Sequence, residues 1–466
     1  MKPMWFCILL LTLVAAPQVK EDWLRFRGPN GSGVSESTGV PAEFDPSRNV
    51  LWKTPVPFGR SSPIVAGSRI FLTAAEGEKL ITLCLDRQTG KIIWRSEVTR
   101  ARHMPIFTGN DAASPTPVSD GTNVYVFFAE LGLISYGPYG KERWRVPLGP
   151  FNSFYGLGAS PVMAGDTVVM VCDQRTNSFV IAVDARDGKV RWQIDRPSPV
   201  EGYATPVIYS PPEGEPQLLV FGSHALEAYA LKTGARLWWV HGVGYAPKGV
   251  PVVGRELVYV SAPGGDAPVF PPFDEGLKQF DANGDGRVQR QETRSDPYIH
   301  EHFGWMDPNG DGAIDRAEYE VVWKASAGGH GLTAIRPGGK GDMTAASVAW
   351  RVKKGYPNVA APLFYKDVLY VVRTGGIITS LGPQTGGILK TGRSESAIEE
   401  YYSSPVAADD KVFLISESGK VTVLKAGGQW EIVAVNDLDE EVWATPAIAN
   451  GTIYVRTRTA IYAFGR

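Results

Sequence analysis

The chain of 466 residues is predicted to be all-β: an eight-bladed β-propeller whose N- and C-terminal strands close one blade, with a small α-helical pair of loops inserted in blade five. Three observations predict it. A small-small-Pro unit recurs eight times, at Ser62-Pro63, Ser114-Pro115, Ser160-Pro161, Thr205-Pro206, Val250-Pro251, Ala361-Pro362, Ser404-Pro405 and Thr445-Pro446, each opening a short apolar strand. Spacings run from 41 to 52 residues except for 111 between Pro251 and Pro362, which marks an insertion. Second, a tryptophan recurs in phase within the units, at Trp52, Trp94, Trp144, Trp192, Trp238, Trp350 and Trp430, with Leu389 standing where an eighth would fall. Third, Trp52 precedes the first small-small-Pro unit while no tryptophan strand follows the last, so the strand at 50–56 is expected to complete the C-terminal blade and remove the exposed edges of an open array. No helical periodicity competes with this reading.

Taken in order, residues 1–16 read as a signal peptide: an apolar run at 5–16 behind Lys2, too short to span a bilayer. Export to the periplasm or beyond is expected, with no transmembrane segment. Cys7 has no lipobox around it, and the remaining Cys84 and Cys172 are expected as buried free thiols. Residues 17–49 form an N-terminal extension, 50–267 carry blades one to five with the closing strand of blade eight, 270–325 the insert, and 327–466 the rest of blade five and blades six to eight. Net charge is -2 with the two signs mixed, and no basic stripe offers itself to nucleic acid.

The insert holds two twelve-residue loops, Asp281-Ala-Asn283-Gly-Asp285-Gly286-Arg287-Val288-Gln289-Arg-Gln-Glu292 and Asp307-Pro-Asn309-Gly-Asp311-Gly312-Ala313-Ile314-Asp315-Arg-Ala-Glu318. This is the EF-hand pattern, which offers a calcium ion oxygens from positions 1, 3, 5, 7, 9 and 12. The expected ligands of two Ca2+ ions are therefore Asp281, Asn283, Asp285, Arg287, Gln289 and Glu292 in one loop, and Asp307, Asn309, Asp311, Ala313, Asp315 and Glu318 in the other. Arg287 and Ala313 contribute only backbone carbonyls. Apolar Val288 and Ile314 at position 8 should pair the loops side by side. Asp274 should cap a helix running to Phe280, a second helix should begin after Pro297, and a last one should follow Glu318. Four carboxylates against three, with Arg287 and Arg290 expected to add positive charge near the first loop, predict tighter binding in the second loop. With few apolar residues for a core of its own, the insert is expected to unfold when calcium is removed.

The pattern of turn, Gly, three residues and Trp in Thr89-Gly90-Lys-Ile-Ile-Trp94, Asp187-Gly188-Lys-Val-Arg-Trp192 and Thr233-Gly234-Ala-Arg-Leu-Trp238 resembles the tryptophan-docking repeat of the quinoprotein, or pyrroloquinoline quinone (PQQ), propellers. The resemblance covers 50–267 and 327–466, and Trp23-Leu-Arg-Phe-Arg-Gly-Pro-Asn-Gly-Ser-Gly33 looks like a leader found ahead of exported relatives. It implies that each tryptophan packs on the next blade. It also offers PQQ as a cofactor and a quinone-dependent dehydrogenase as an alternative function. Those enzymes are marked by an adjacent cysteine pair, which this chain lacks, so PQQ is not expected. A third reading is similarity to the outer-membrane assembly-factor propellers. Six scattered histidines show no zinc spacing, and no Gly-x-Ser-x-Gly elbow occurs, so no catalytic residue is assigned. Function is expected in binding or assembly. The D-to-A connections, with His103, Phe107, Phe151, Phe154, Tyr155, Tyr203, Tyr245, Tyr401 and Tyr402, would face a protein, peptide or glycan, on the same face as the insert.

Overall fold

In the computed structural model, seven sheets of four strands and one of five account for the blades. Described are residues 22–104, 109–153, 155–196, 201–263, 270–307, 309–327 and 329–466. The expected signal peptide, Phe107 and Phe154 lie outside them. Each blade runs A to D from the axis outward; in blade one these strands are Ile64–Ala66, Arg69–Glu76, Lys79–Asp86 and Ile92–Thr99, paired antiparallel. Blade eight takes its outer strand from the N-terminus, with Val50–Pro55 pairing Ala460–Phe464. Inner strands are buried on both faces, as in Val124–Phe128, and outer strands alternate, as in Ile92–Thr99.

A belt of hydroxyls explains the Ser/Thr-Pro unit. The backbone N–H of Ser62 donates to Thr116 Oγ1, Thr116 to Ser160 Oγ, and Ser160 to Thr205 Oγ1, at 3.0, 2.9 and 2.9 Å. Ala361 continues it to Ser404, Ser404 to Thr445 and Thr445 back to Ser62, each at 3.0 Å. The belt skips the two gaps that flank blade five, where Val250 and Ala361 have no hydroxyl to accept. It also corrects the register of blade two: the unit there is Thr116-Pro117, two residues beyond Ser114-Pro115.

The tryptophans dock as the resemblance implies. Nε1 of Trp52, Trp94, Trp144, Trp192 and Trp350 donates to Arg87, Pro138, Ala185, Leu231 and Pro383 carbonyls of the next blade at 2.9 to 3.1 Å. Each ring lies against the turn glycine of that blade. A Cβ added at Gly90 would stand 2.5 Å from the Trp52 ring, and its φ of +71° is itself a glycine conformation. Trp238 instead donates to Gln217 in its own blade, and Gly341–Asp342 pairs in parallel against its strand, Arg236–His241.

Two of the expected markers fall elsewhere. Strand pairing sets Lys390 of blade six, not Leu389, opposite Ser380, the place that Trp94 takes opposite Cys84. In blade seven that place belongs to Ala434, and Trp430 sits in the turn before the strand. Lys390 Nζ donates to Trp430 O at 2.6 Å and lies 4.5 Å from its ring centroid, so at this seam a cation takes the place of the ring and meets a ring from the next blade's turn.

The extension crosses the axis and plugs the channel. Trp23 exchanges backbone bonds with Val65, Asn30 brackets Ile208, and Gly33 and Ser35 bracket Ala407. Arg25 donates to Pro206 O at 2.6 Å and Arg27 to Pro362 O at 3.0 Å, so two guanidiniums cap carbonyls of the repeat prolines. Burial pulls both down to about 9.

The insert is an EF-hand pair between strands B and C of blade five, Val258–Ala262 and Gly331–Ile335. Its helices are Phe273–Phe280, Pro297–Met306 and Arg316–Ala327, with a 3-10 turn Arg290–Ser295. Asp274 lies in the first turn of its helix and is not the cap; Pro272 holds that position, and the Asp296 side chain caps the second helix at Ile299 N. The expectation of a weak core is also corrected. Phe270, Phe273, Phe280, Val288, Ile299, Phe303, Met306, Ile314, Tyr319 and Val322 form a buried cluster of their own.

Candidate functional site

The two loops turn where glycine permits, with φ of +78° at Gly286 and +88° at Gly312. Val288–Gln289 and Ala313–Ile314 pair antiparallel with Val288 opposite Ile314, so the loops stand side by side as their position-8 residues predict. Backbone N–H groups hold the donors in place. Asp281 accepts from Gly284, Asp285 and Gly286, and Asp307 from Gly310 and Gly312. Glu292, at position 12, accepts from Ala282, Asn283 and Gln289. Asn309 accepts from Asp311 N, Asp311 from Ala313 N, and Asp315 from Glu318 N.

The donor set fits a hard cation. Oε1 of Glu318 is buried and makes no hydrogen bond of ordinary geometry, while Oε2 accepts from Asp315 N at 3.0 Å. Desolvation, and then the charges of Asp315 and Asp307, push this carboxyl above its ordinary range, the condition a divalent ion would relieve. Among the described residues, no three carboxylates, imidazoles or thiolates converge on one point; the EF pattern needs carbonyl oxygens as well. In the first loop, Asp285 and Gln289 bond one another through their side chains. In the second, Asp311 is held by Arg287.

The module stands on the propeller. Arg175, in the B-to-C turn of blade three, takes its place through a bond from its N–H to Asn152 O at 2.9 Å, and its Nη2 reaches Asp307 O at 3.4 Å. Asp307 is the first residue of the second loop. Below it lies a phenol cluster. Tyr155 and Tyr203 rings meet edge to face at 5.8 Å, Tyr203 donates to Glu201, and Tyr245 is raised by burial and by neighbouring Glu201, Tyr155 and Tyr298. Tyr298 belongs to the insert. The EF-hands therefore share the face of the D-to-A connections. Beside the cluster, buried Arg196 joins Asp173 to Glu227 and Tyr229; Gly222 leaves room for the guanidinium and Gly202 for the Asp173 carboxylate.

Not all of the aromatic connections contribute surface. Phe151 packs between Phe127 and Phe179, and Tyr401 is buried with its hydroxyl on Ala397 O. His103 pairs with Glu78 at the rim. Across the mouth, Tyr402 stacks on Trp443 at 3.9 Å and Arg60 lies 3.9 Å over the same indole. Trp443, Arg60 and Lys248 were not legible as site residues. Their signal is positional: Arg60, Tyr203, Lys248, Tyr402 and Trp443 each stand three residues before a repeat proline. Desolvation lowers Lys248 to about 8, with Asn358 Oδ1 3.5 Å away. Cys84 and Cys172 are free and buried. No described helix is long and apolar enough to cross a membrane.

An EF-hand family profile matches residues 273–295. Among solved structures, BamB from Moraxella catarrhalis aligns over 89% of this chain and 100% of its own at 14% identity and a TM-score of 0.52. A europium-containing methanol dehydrogenase covers 96% and 98% at 11% identity, TM-score 0.58, and the quinohemoprotein alcohol dehydrogenase of Comamonas testosteroni 96% and 80% at 11%, also 0.58. At these identities the likeness is one of fold. No curated protein sequence matches the chain. A profile described as outer membrane protein assembly factor BamB matches residues 37–151, 80–267 and 312–465, most of the chain, and the chain belongs to this family of PQQ-repeat propellers.

Proposed function

We propose that the protein is an exported, calcium-binding propeller that acts as a binding or assembly scaffold. Asp281, Asn283, Asp285, Arg287, Gln289 and Glu292 would hold one ion, and Asp307, Asn309, Asp311, Ala313, Asp315 and Glu318 the other. Residues 1–16 would direct the chain to the periplasm or outside the cell. A protein, peptide or glycan would bind on the D-to-A face, and the family's own description favours a protein.

The contact between Arg175 and the Asp307 carbonyl carries the reading. A cation that orders the second loop also orders one wall of the mouth. Calcium titration of the purified chain should give saturable heat that Glu292→Gln with Glu318→Gln removes. Partner capture from envelope extract should fall with chelator and with Trp443→Ala. Absence of calcium heat overturns the metal half; capture indifferent to both changes overturns the scaffold half.

The stacked Tyr402–Trp443 pair with Arg60 over the indole favours a second reading, a PQQ-binding oxidoreductase, since a planar anion suits a guanidinium beside aromatic faces. Retention of the quinone chromophore through gel filtration with calcium would support it.

A further inference from the structure

The two loops are not independent. Arg287 occupies position 7 of the first loop, where its carbonyl is the expected donor and its N–H is fixed by Asp285 Oδ1 at 2.9 Å. Its side chain crosses to the second loop. There Nη2 reaches Asp311 Oδ1 at 2.9 Å, Asp311 Oδ2 at 2.7 Å and Ala313 O at 2.8 Å. Those oxygens are positions 5 and 7 of the second loop, two of the six donors an ion would use.

Resting on the calcium reading above, we propose that Arg287 is a tethered cation that competes with calcium for the second loop, so that the first loop fills first and the second fills only as the guanidinium is displaced. One positive charge against the four carboxylates of that loop lowers the field an incoming ion feels, and a guanidinium already satisfying two donors must give them up. Carboxylate count alone ranks the loops the other way. The arrangement also gives the ions different work. The second loop begins at Asp307, whose carbonyl is bonded to Arg175 of the propeller, so the later ion is the one that bears on the mouth.

The test is calcium calorimetry on the full chain in a Glu292→Gln background, which leaves only the second loop to be read. Adding Arg287→Gln should tighten that loop about tenfold. Arg287→Lys keeps the charge and loses the planar fork, and should fall between. With Glu318→Gln alone, the first loop should bind more tightly than the second does in Glu292→Gln. Circular dichroism of each variant reports that the insert is folded, and terbium luminescence repeats the ranking with a second probe. Unchanged second-loop affinity in folded Arg287→Gln overturns the competition and leaves the calcium reading intact. No saturable binding by the unsubstituted chain overturns both.

Discussion

At the residue scale, steric need and burial decide which positions are costly. Gly90 and Gly67 both have positive φ, but an added Cβ at Gly90 meets the Trp52 ring at 2.5 Å while at Gly67 it meets nothing within 4 Å. Gly90→Ala should therefore cost about 2–4 kcal/mol and Gly67→Ala about 1 kcal/mol, the conformational strain alone, in urea denaturation. Lys248 supplies a pH dependence. Its folded value of about 8 lies below the ordinary 10.5, so the native state holds fewer protons between them. Stability should rise with pH across that window and be lost as pH falls through about 8, by ~3 kcal/mol in all. Lys248→Met should flatten the slope in melts taken from pH 7 to 10.5; an unchanged slope would rule out this amine as its source.

At the element scale, the docking tryptophans were legible because ring and glycine recur at a fixed local spacing. Ser114-Pro115-Thr116-Pro117 offers two prolines two residues apart, and only the bond from Ser62 N to Thr116 Oγ1 chooses between them. Leu389 for Lys390 is the same kind of slip, since a turn one residue off reads equally well along the chain. The hydroxyl belt makes its own prediction. Thr116→Val keeps the shape and leaves the buried Ser62 N–H without its acceptor, which should cost about 1–3 kcal/mol, whereas Thr122→Val on an exposed turn should be neutral in the same denaturation experiment. For the insert, ten buried apolar side chains and the Asp274–Arg316 pair form a core that the expectation of unfolding without calcium did not include. Chelation should leave most of its helical circular dichroism and loosen the loops. Loss of the whole helical signal would show that the core is insufficient.

At the scale of the whole molecule, closure was readable from phase alone, because Trp52 lies before the first unit. The plug was not. Arg27 reaches Pro362 across 335 residues and Arg175 reaches Asp307 across 132, contacts that no local pattern encodes. The EF loops were the most legible feature, since every donor lies within twelve residues, yet the seat of the module on the phenol cluster and the reach of Arg287 into the neighbouring loop came only from the fold. What joins metal to mouth is this seating. Hydrogen exchange of the full chain with and without calcium tests it most directly. The account predicts slower exchange across 281–318 together with the Arg175 turn and the connection around Tyr203 and Tyr245, while blades one and seven stay unchanged. Protection confined to 281–318, with the Arg175 turn and the tyrosine connections exchanging as before, would contradict it.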